Sequence, residues 1–208
     1  MGNLNYIIRT LRPEEAYLLR DFLYEAIYLP EGASPPPRSV IDLPELQVYI
    51  QDFGTQPDDY CLVAESSGQV VGSVWVRQMN DYGHIDRQTP SLAISLYPPF
   101  RGKGIGTRLM REMINLLYTK GYKQISLSVQ KDNPATRLYR RLGFKTMWET
   151  KEEYIMVYHC MRTNYQRFLS GEYCNRLDAE VLDMMNLTNK LLTSFNSPET
   201  TEEKNRNY

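Results

Sequence analysis

The stretch "FRGKGIG" at residues 100–106 sets glycines at 102, 104 and 106, with Arg101 in front and Lys103 between. A strand pattern, "SLAISLY" (91–97), precedes it, and a helical pattern, "GTRLMREMINLLYTK" (106–120), follows directly. Ile105, Leu109, Met113 and Leu117 recur every four residues, the spacing that lays one helix face on a sheet. Glycines at alternate positions let a backbone approach a ligand closely, and the first N–H groups of a helix have no partner within it. Arg101 and Lys103 add positive charge, so the stretch suits an anion such as a pyrophosphate. Two familiar phosphate patterns fail. No Lys-Ser/Thr pair follows the last glycine, and Thr107 stands where a dinucleotide loop has its third glycine. From these residues alone, a strand-to-helix turn without a ligand stays an equal alternative.

The elements around this stretch alternate. "YIIRT" (6–10) reads as a strand and "RPEEAYLLRDFLYEAI" (12–27) as a helix with acids in its first turn. A Pro/Gly/Ser-rich loop, 29–44, leads to a second helix over 44–53. "YCLVAES" (60–66) and "QVVGSVWVRQ" (69–78) form a hairpin through Ser67-Gly68. After the glycine stretch come a strand at 124–130 and a helix, "NPATRLYRRL" (133–142), with Asn133 as N-cap. A closing hairpin covers 144–161. The pattern predicts an α+β fold, a mixed sheet with helices on its faces.

Composition narrows the function classes. The chain has 208 residues, 42% hydrophobic and 24% charged, with a formal net charge of -1. That is a globular profile without the basicity expected of a nucleic-acid binder. Three cysteines, Cys61, Cys160 and Cys174, do not make a disulfide framework, and no Cys/His set has metal-ligand spacing. The N-terminal stretch has no secretory pattern and no apolar run approaches a membrane span of ~20 residues. The expectation is a cytoplasmic protein with no membrane, nucleic-acid or metal partner.

Residues 5–161 as a whole resemble the GNAT superfamily of acetyltransferases, which use acetyl-coenzyme A. The family signature, [Arg/Gln]-x-x-Gly-x-[Gly/Ala] between a strand and a helix, is filled by Arg101, Gly104 and Gly106. "SVQKDNPATRLYRRLGF" (128–144) is similar to the family's later coenzyme-A segment, and the order of elements agrees. The resemblance implies a GNAT fold in residues 1–161, with two central strands splayed around the pantetheine arm. It implies coenzyme contacts from Ile94, Ser95 and Leu96 on the splayed strand. It implies a phosphate cradle at Arg101, Gly102, Lys103, Gly104, Ile105, Gly106 and Thr107, and contacts from Asn133, Ala135 and Tyr139. Tyr139 is the expected general acid for the departing thiolate, with a packing tyrosine as the bland alternative.

The acceptor side is less informative. Many members of the family carry Glu at the start of the signature strand, and here that place is Ser91. His84 is the sequence candidate for base, on its ordinary pKa, beside Asp81, Asp86 and Glu65; relay through water is the alternative. The loop 29–44 would roof the acceptor cleft and shows no acidity suited to a polycation. The expected reaction is N-acetylation of a small-molecule amine or amino-acid derivative. A protein N-terminus or lysine is the alternative acceptor, and a coenzyme-binding pseudoenzyme the alternative class.

Residues 162–208 resemble the small helical N-terminal region of maltose and galactoside O-acetyltransferases. Gly171, Glu172, Asp178, Glu180, Leu191, Leu192, Phe195 and Asn196 carry that likeness, while Asn175 and Met185 depart from it. The 208 residues contain no hexapeptide-repeat domain of the kind that carries O-acetyl chemistry, so sugar acetylation is not expected of them. Val181, Met185, Thr188 and Leu192 lie at helical spacing, so a helical extension is expected to bury an apolar face on the chain's own domain or in a homodimer. The last ~12 residues are expected to be disordered.

Overall fold

A computed structural model of the chain describes residues 5–160. The segment 162–208, with the resemblance and helix expected there, lies outside the described residues. In chain order the elements are β1 (Ile7–Thr10), α1 (Leu18–Ala26), α2 (Pro44–Gln47), β2 (Tyr60–Ser66), β3 (Gln69–Arg77), β4 (Ser91–Leu96), α3 (Ile105–Thr119), β5 (Gln124–Gln130), α4 (Ala135–Leu142), β6 (Lys145–Glu149) and β7 (Glu153–His159). Seven strands form one sheet in the order β1-β2-β3-β4-β5-β7-β6. Every neighbouring pair is antiparallel except β4 and β5.

Helices cover both faces, as the alternating pattern predicts. On one face α3 buries Ile105, Leu109, Met110, Met113, Ile114 and Leu117 against Val74, Leu127 and Met156 of the strands. Truncating any of these large side chains to alanine would cost about 2–5 kcal/mol. On the other face α1 buries Leu19, Phe22 and Leu23 against Val63 and Trp75, and Ile41 joins them from the loop. The side chains of β4 alternate between the two cores: Leu92, Ile94 and Leu96 go to the α3 face and Ala93 to the α1 face.

The second helix is shorter than expected. Only Pro44–Gln47 is helical, and the chain then runs in turns to Tyr60. The reason is a long-range competitor. Arg77, at the end of β3, donates to the carbonyls of Gln51 at 2.6 Å and Val48 at 3.3 Å, while pairing with Asp59 through Nε and Nη2 at 2.7 and 2.8 Å. Asp59 also accepts the Gly54 and Gln56 amides. This buried pair fastens the whole 48–59 segment to the sheet, which matters because that segment carries Tyr49 to the site.

Candidate active site

β4 and β5 touch at one register pair, Ser91 with Ser126, where the Ser126 N–H donates to the Pro90 carbonyl at 3.1 Å. Beyond that pair the strands diverge, so the sheet forks in its middle. The Tyr97 N–H donates to Val71 of β3, which fixes the alternation: residues 91, 93, 95 and 97 turn their peptide groups to β3, and 92, 94 and 96 turn theirs to the gap. The splayed strand pair expected from the sequence is present, and the Ile94 peptide group and the Leu96 N–H line the gap with no strand facing them. Ser95 is not brought there. Its hydroxyl donates to the Phe22 carbonyl at 2.6 Å and its peptide group belongs to the β3 side.

The gap leads to the glycine turn. Gly102 and Gly104 sit at φ of 71° and 84°, in the left-handed region, and both are open to solvent with no atom where a Cβ would lie. A residue with a side chain would strain the turn, so glycine here is a conformational requirement. Gly106 serves differently. A Cβ there would lie 3.3 Å from a Leu96 methyl, so its bareness lets α3 sit close on β4. The N–H groups of residues 102–107 have no partner among the described residues, because α3 begins at Ile105 and the first bond into the helix is Arg108 N–H to Gly104 O. Six successive free amides at the start of a 15-residue helix form a concave anion cradle.

The charges around the cradle are arranged differently from the sequence expectation. Arg101 turns away, donating to the Leu96 carbonyl and to Glu25. Lys103 rests over the Phe100 ring at 5.7 Å. The cation that reaches the cradle is Arg141 of α4, whose Nη2 lies 3.4 Å from the Thr107 hydroxyl. Sequence reading missed Arg141, one of two adjacent arginines on a helix, because only the packing of α4 beside α3 sets it there.

At the head of α4, Asn133 Oδ1 accepts the Ala135 N–H at 2.9 Å, the capping role read from the sequence. That bond also commits the Ala135 amide. Tyr139 lies on the buried face of α4 with its ring 5.9 Å from Phe144, and its hydroxyl bonds to no other described residue. Burial pushes its pKa up to about 12, so it stays protonated at neutral pH and can donate a proton.

On the α1 side of the fork, the turn after β3 folds back over β5. A Cβ on Gly83 would lie 3.1 Å from the Leu127 carbonyl carbon and the Ser128 nitrogen. This turn brings Asp81 to the fork, where Oδ1 accepts the Ser91 hydroxyl at 2.6 Å and Oδ2 accepts the Tyr49 hydroxyl at 2.8 Å. Burial pushes the Tyr49 pKa far above its ordinary value, and the Asp81 charge adds to that shift. Nearby, Ser128 donates to Glu153 of β7 at 2.7 Å. His84, in the same turn, has Nδ1 2.9 Å from the Met79 carbonyl; a carbonyl only accepts, so the proton sits on Nδ1 and Nε2 is the basic nitrogen. The remaining sequence candidates lie elsewhere. Glu65 pairs with Arg9 near the β1 edge, and Asp86 caps its own turn beside a cavity of about 500 Å³ that also touches Thr89, Gln124 and His159, at the start of β5.

Among the described residues no group of His, Cys, Asp and Glu forms a metal cluster, and no helix is long and apolar enough to cross a membrane. The model of the Acetyltransferase (GNAT) family matches residues 23–144. An acetyltransferase of Pectobacterium atrosepticum is 35% identical over 91 residues, covering 43% of this chain and 60% of that protein. A mycothiol acetyltransferase of Arthrobacter is 31% identical over 99 residues, 47% of this chain and 30% of the relative. The chain therefore spans less than two thirds of the length of these relatives. Among solved structures, the PaiA N-acetyltransferase of Thermoplasma acidophilum, determined with coenzyme A, superposes with a TM-score of 0.57 at 21% identity, over 74% of this chain and 99% of that one.

Proposed function

The chain belongs to the GNAT family of acetyltransferases, and from that premise we propose that it moves an acetyl group from acetyl-coenzyme A directly to the amine of a small molecule or amino-acid derivative. The observation that carries this reading is the continuity of the fork with the cradle. A strand edge without a partner, at Ile94 and Leu96, runs straight into six free amides at the head of α3. An extended pantetheine arm is itself a β-strand mimic with alternating amide groups, and its pyrophosphate is the anion that the cradle suits.

The roles follow from position. The amides of Gly102, Lys103, Gly104, Ile105, Gly106 and Thr107 take the pyrophosphate, with Arg141 alongside. Arg101 holds the cradle in place. A β4 N–H facing the gap donates to the thioester oxygen, where negative charge builds as the amine attacks. Tyr139 protonates the departing thiolate. The proton lost by the amine leaves on the α1 side of the fork, where the 79–84 turn supplies His84 and Asp81. The relative named as a mycothiol acetyltransferase supports placing small molecules ahead of protein acceptors.

Calorimetry with acetyl-coenzyme A and thiol release with a panel of small primary amines and peptides test the reading. Binding together with turnover of a small amine is the expected result. Turnover of peptides alone would shift the acceptor to protein, binding without turnover would make the chain a coenzyme-binding module, and no binding would remove the reading.

A further inference from the structure

We infer that Asp81 is the group that takes the acceptor's proton, with Ser91 and Tyr49 as the residues that position it; this rests on the acetyl-transfer reading above. Three observations converge with the coenzyme placement proposed above. Ser91 stands at the closed end of the fork, fully buried, where β4 and β5 make their single pair. A thioester whose phosphates occupy residues 102–107 and whose arm runs back along β4 ends at that closed end. The Ser91 side chain lies on the α1 face and its hydroxyl donates to Asp81 at 2.6 Å, so the carboxylate sits on that face at the closed end of the fork. Finally, Tyr49 and Ser91 each hold one carboxylate oxygen, which fixes the group and leaves lone pairs on both oxygens.

The other titratable groups do not meet these conditions. Glu65 is held by Arg9 on the far side of β3, and Asp86 spends one oxygen on the Gln88 amide and the Thr89 hydroxyl. His84 is fixed through Nδ1 to Met79, and no contact ties its ring to β4. The groups facing the Asp81 and Tyr49 pair are Ser91 from β4, Glu153 from β7, and Tyr82 from its own turn, while the His84 ring is turned to the Met79 carbonyl. Glu153 is the second negative charge near the site, and it too favours an acceptor that arrives as a cation.

The step balances as follows. An amine with a pKa near ~10 arrives as an ammonium ion and gives one proton to the Asp81 carboxylate, which becomes a carboxylic acid. The freed lone pair forms the C–N bond at the thioester carbon, and the C–S bond breaks as the adduct collapses. Nitrogen loses a second proton to solvent at that stage, while Tyr139 supplies one to sulfur and recovers it from solvent. Asp81 then releases its proton to water.

Three variants test the assignment with acetyl-coenzyme A and the best amine of the panel. Asp81→Asn should bind acetyl-coenzyme A as the wild type does, lose about 10²–10⁴-fold in kcat, and lose the acidic limb of the kcat/KM profile. Tyr49→Phe keeps the carboxylate but removes a hydrogen bond to its charged form, so the acidic limb should move to higher pH, an effect that mere scaffolding would not produce. His84→Gln is the competing assignment. If His84→Gln abolishes the limb while Asp81→Asn retains it, or if the limb stays in place in Tyr49→Phe, the assignment to Asp81 is overturned while acetyl transfer stands. A wild type that binds the coenzyme and acetylates nothing removes both readings.

Discussion

Arg101 turns its guanidinium away from the amides that follow it, with Nη2 2.8 Å from Glu25 Oε2 and Nε donating to the Leu96 carbonyl at 2.8 Å. The first residue of the signature therefore clamps the end of α1 and the end of β4 to the cradle. Its charge is spent on protein, and the anion is left to the backbone and Arg141.

Glu25→Gln separates a clamp from an anion ligand by the sign of its effect. Loss of a half-exposed pair is worth up to about 1 kcal/mol, so a loosened clamp should weaken coenzyme binding by up to about fivefold in calorimetry. Were Arg101 a phosphate ligand restrained by Glu25, freeing it would tighten binding instead.

Gly104→Val should abolish coenzyme binding in a protein that still folds. The residue sits at φ 84° in solvent, so a β-branched side chain strains the turn and stands over the free amides, while the buried cores are untouched. The strain costs on the order of 1–3 kcal/mol, which should lower Tm by several degrees without unfolding the chain at room temperature. Unchanged affinity by calorimetry would remove the cradle from coenzyme recognition.

Tyr139→Phe should leave acetyl-coenzyme A affinity intact, lower turnover by about 10²–10⁴-fold, and leave stability nearly unchanged. The last outcome follows because burial alone, with no hydrogen bond from another described residue, acts on the hydroxyl, so its removal leaves no buried partner stranded. With a pKa raised to about 12, the tyrosine remains an acid throughout the neutral range, and no alkaline limb from it should appear below that value. Full activity would make it a packing residue.

Much of this architecture is legible in the sequence, and the rest fails for identifiable reasons. The four-residue spacing of Ile105, Leu109, Met113 and Leu117 gives α3, because one helix resting on one sheet leaves its period in the chain. The glycine turn is legible because a positive φ at 104 has almost no other residue to use. The second helix is overcalled since Arg77, 26 residues beyond Gln51, diverts the carbonyls there into a buried network that periodicity does not register. Arg141 escapes notice, and Asp81 is not singled out from His84, Asp86 and Glu65, for a related reason. Each reaches its site across the fold, from α4 to α3 and from a turn to Ser91, and neither contact has a local pattern. Arg101, conversely, is recognisable as a signature residue while its partner Glu25, 76 positions earlier, is not.

Acid should loosen the β1 edge before the rest of the sheet. The hydrogen bond from Arg9 is the largest of the influences that hold Glu15 down to a pKa of about 2, against an ordinary 4.5. A carboxylate whose folded pKa is depressed stabilises the fold above its unfolded pKa and loses that contribution as pH falls toward the folded value. The window is therefore between about 4.5 and 2, and the amount is on the order of 1 kcal/mol after solvent screening. Urea melts at descending pH, compared with an Arg9→Met variant, should show the wild type losing its advantage within that window; an advantage that persists below it would place the linkage elsewhere.

The largest stability effect is expected at Arg77 and Asp59, whose side chains are 3% and 1% exposed. Burial alone would push the Asp59 carboxyl up, but the Arg77 guanidinium and the Gly54 and Gln56 amides together hold it below its ordinary value. The pair is thus fully compensated in place, and removing one member strands the other in the core. Asp59→Asn keeps the shape, removes the charge, and should cost about 3–5 kcal/mol in denaturant melts. The consequence reaches the site, because Arg77 also holds the carbonyls of Val48 and Gln51, which flank Tyr49. A loosened 48–59 segment cannot keep the Tyr49 hydroxyl on Asp81. At temperatures where the variant is still folded, kcat should therefore fall several-fold while coenzyme affinity, set on α3 and β4, holds. Equal losses in both would mean that the damage spreads through the sheet; a stable variant with normal kcat would mean that neither the pair nor the placement of Tyr49 matters to turnover.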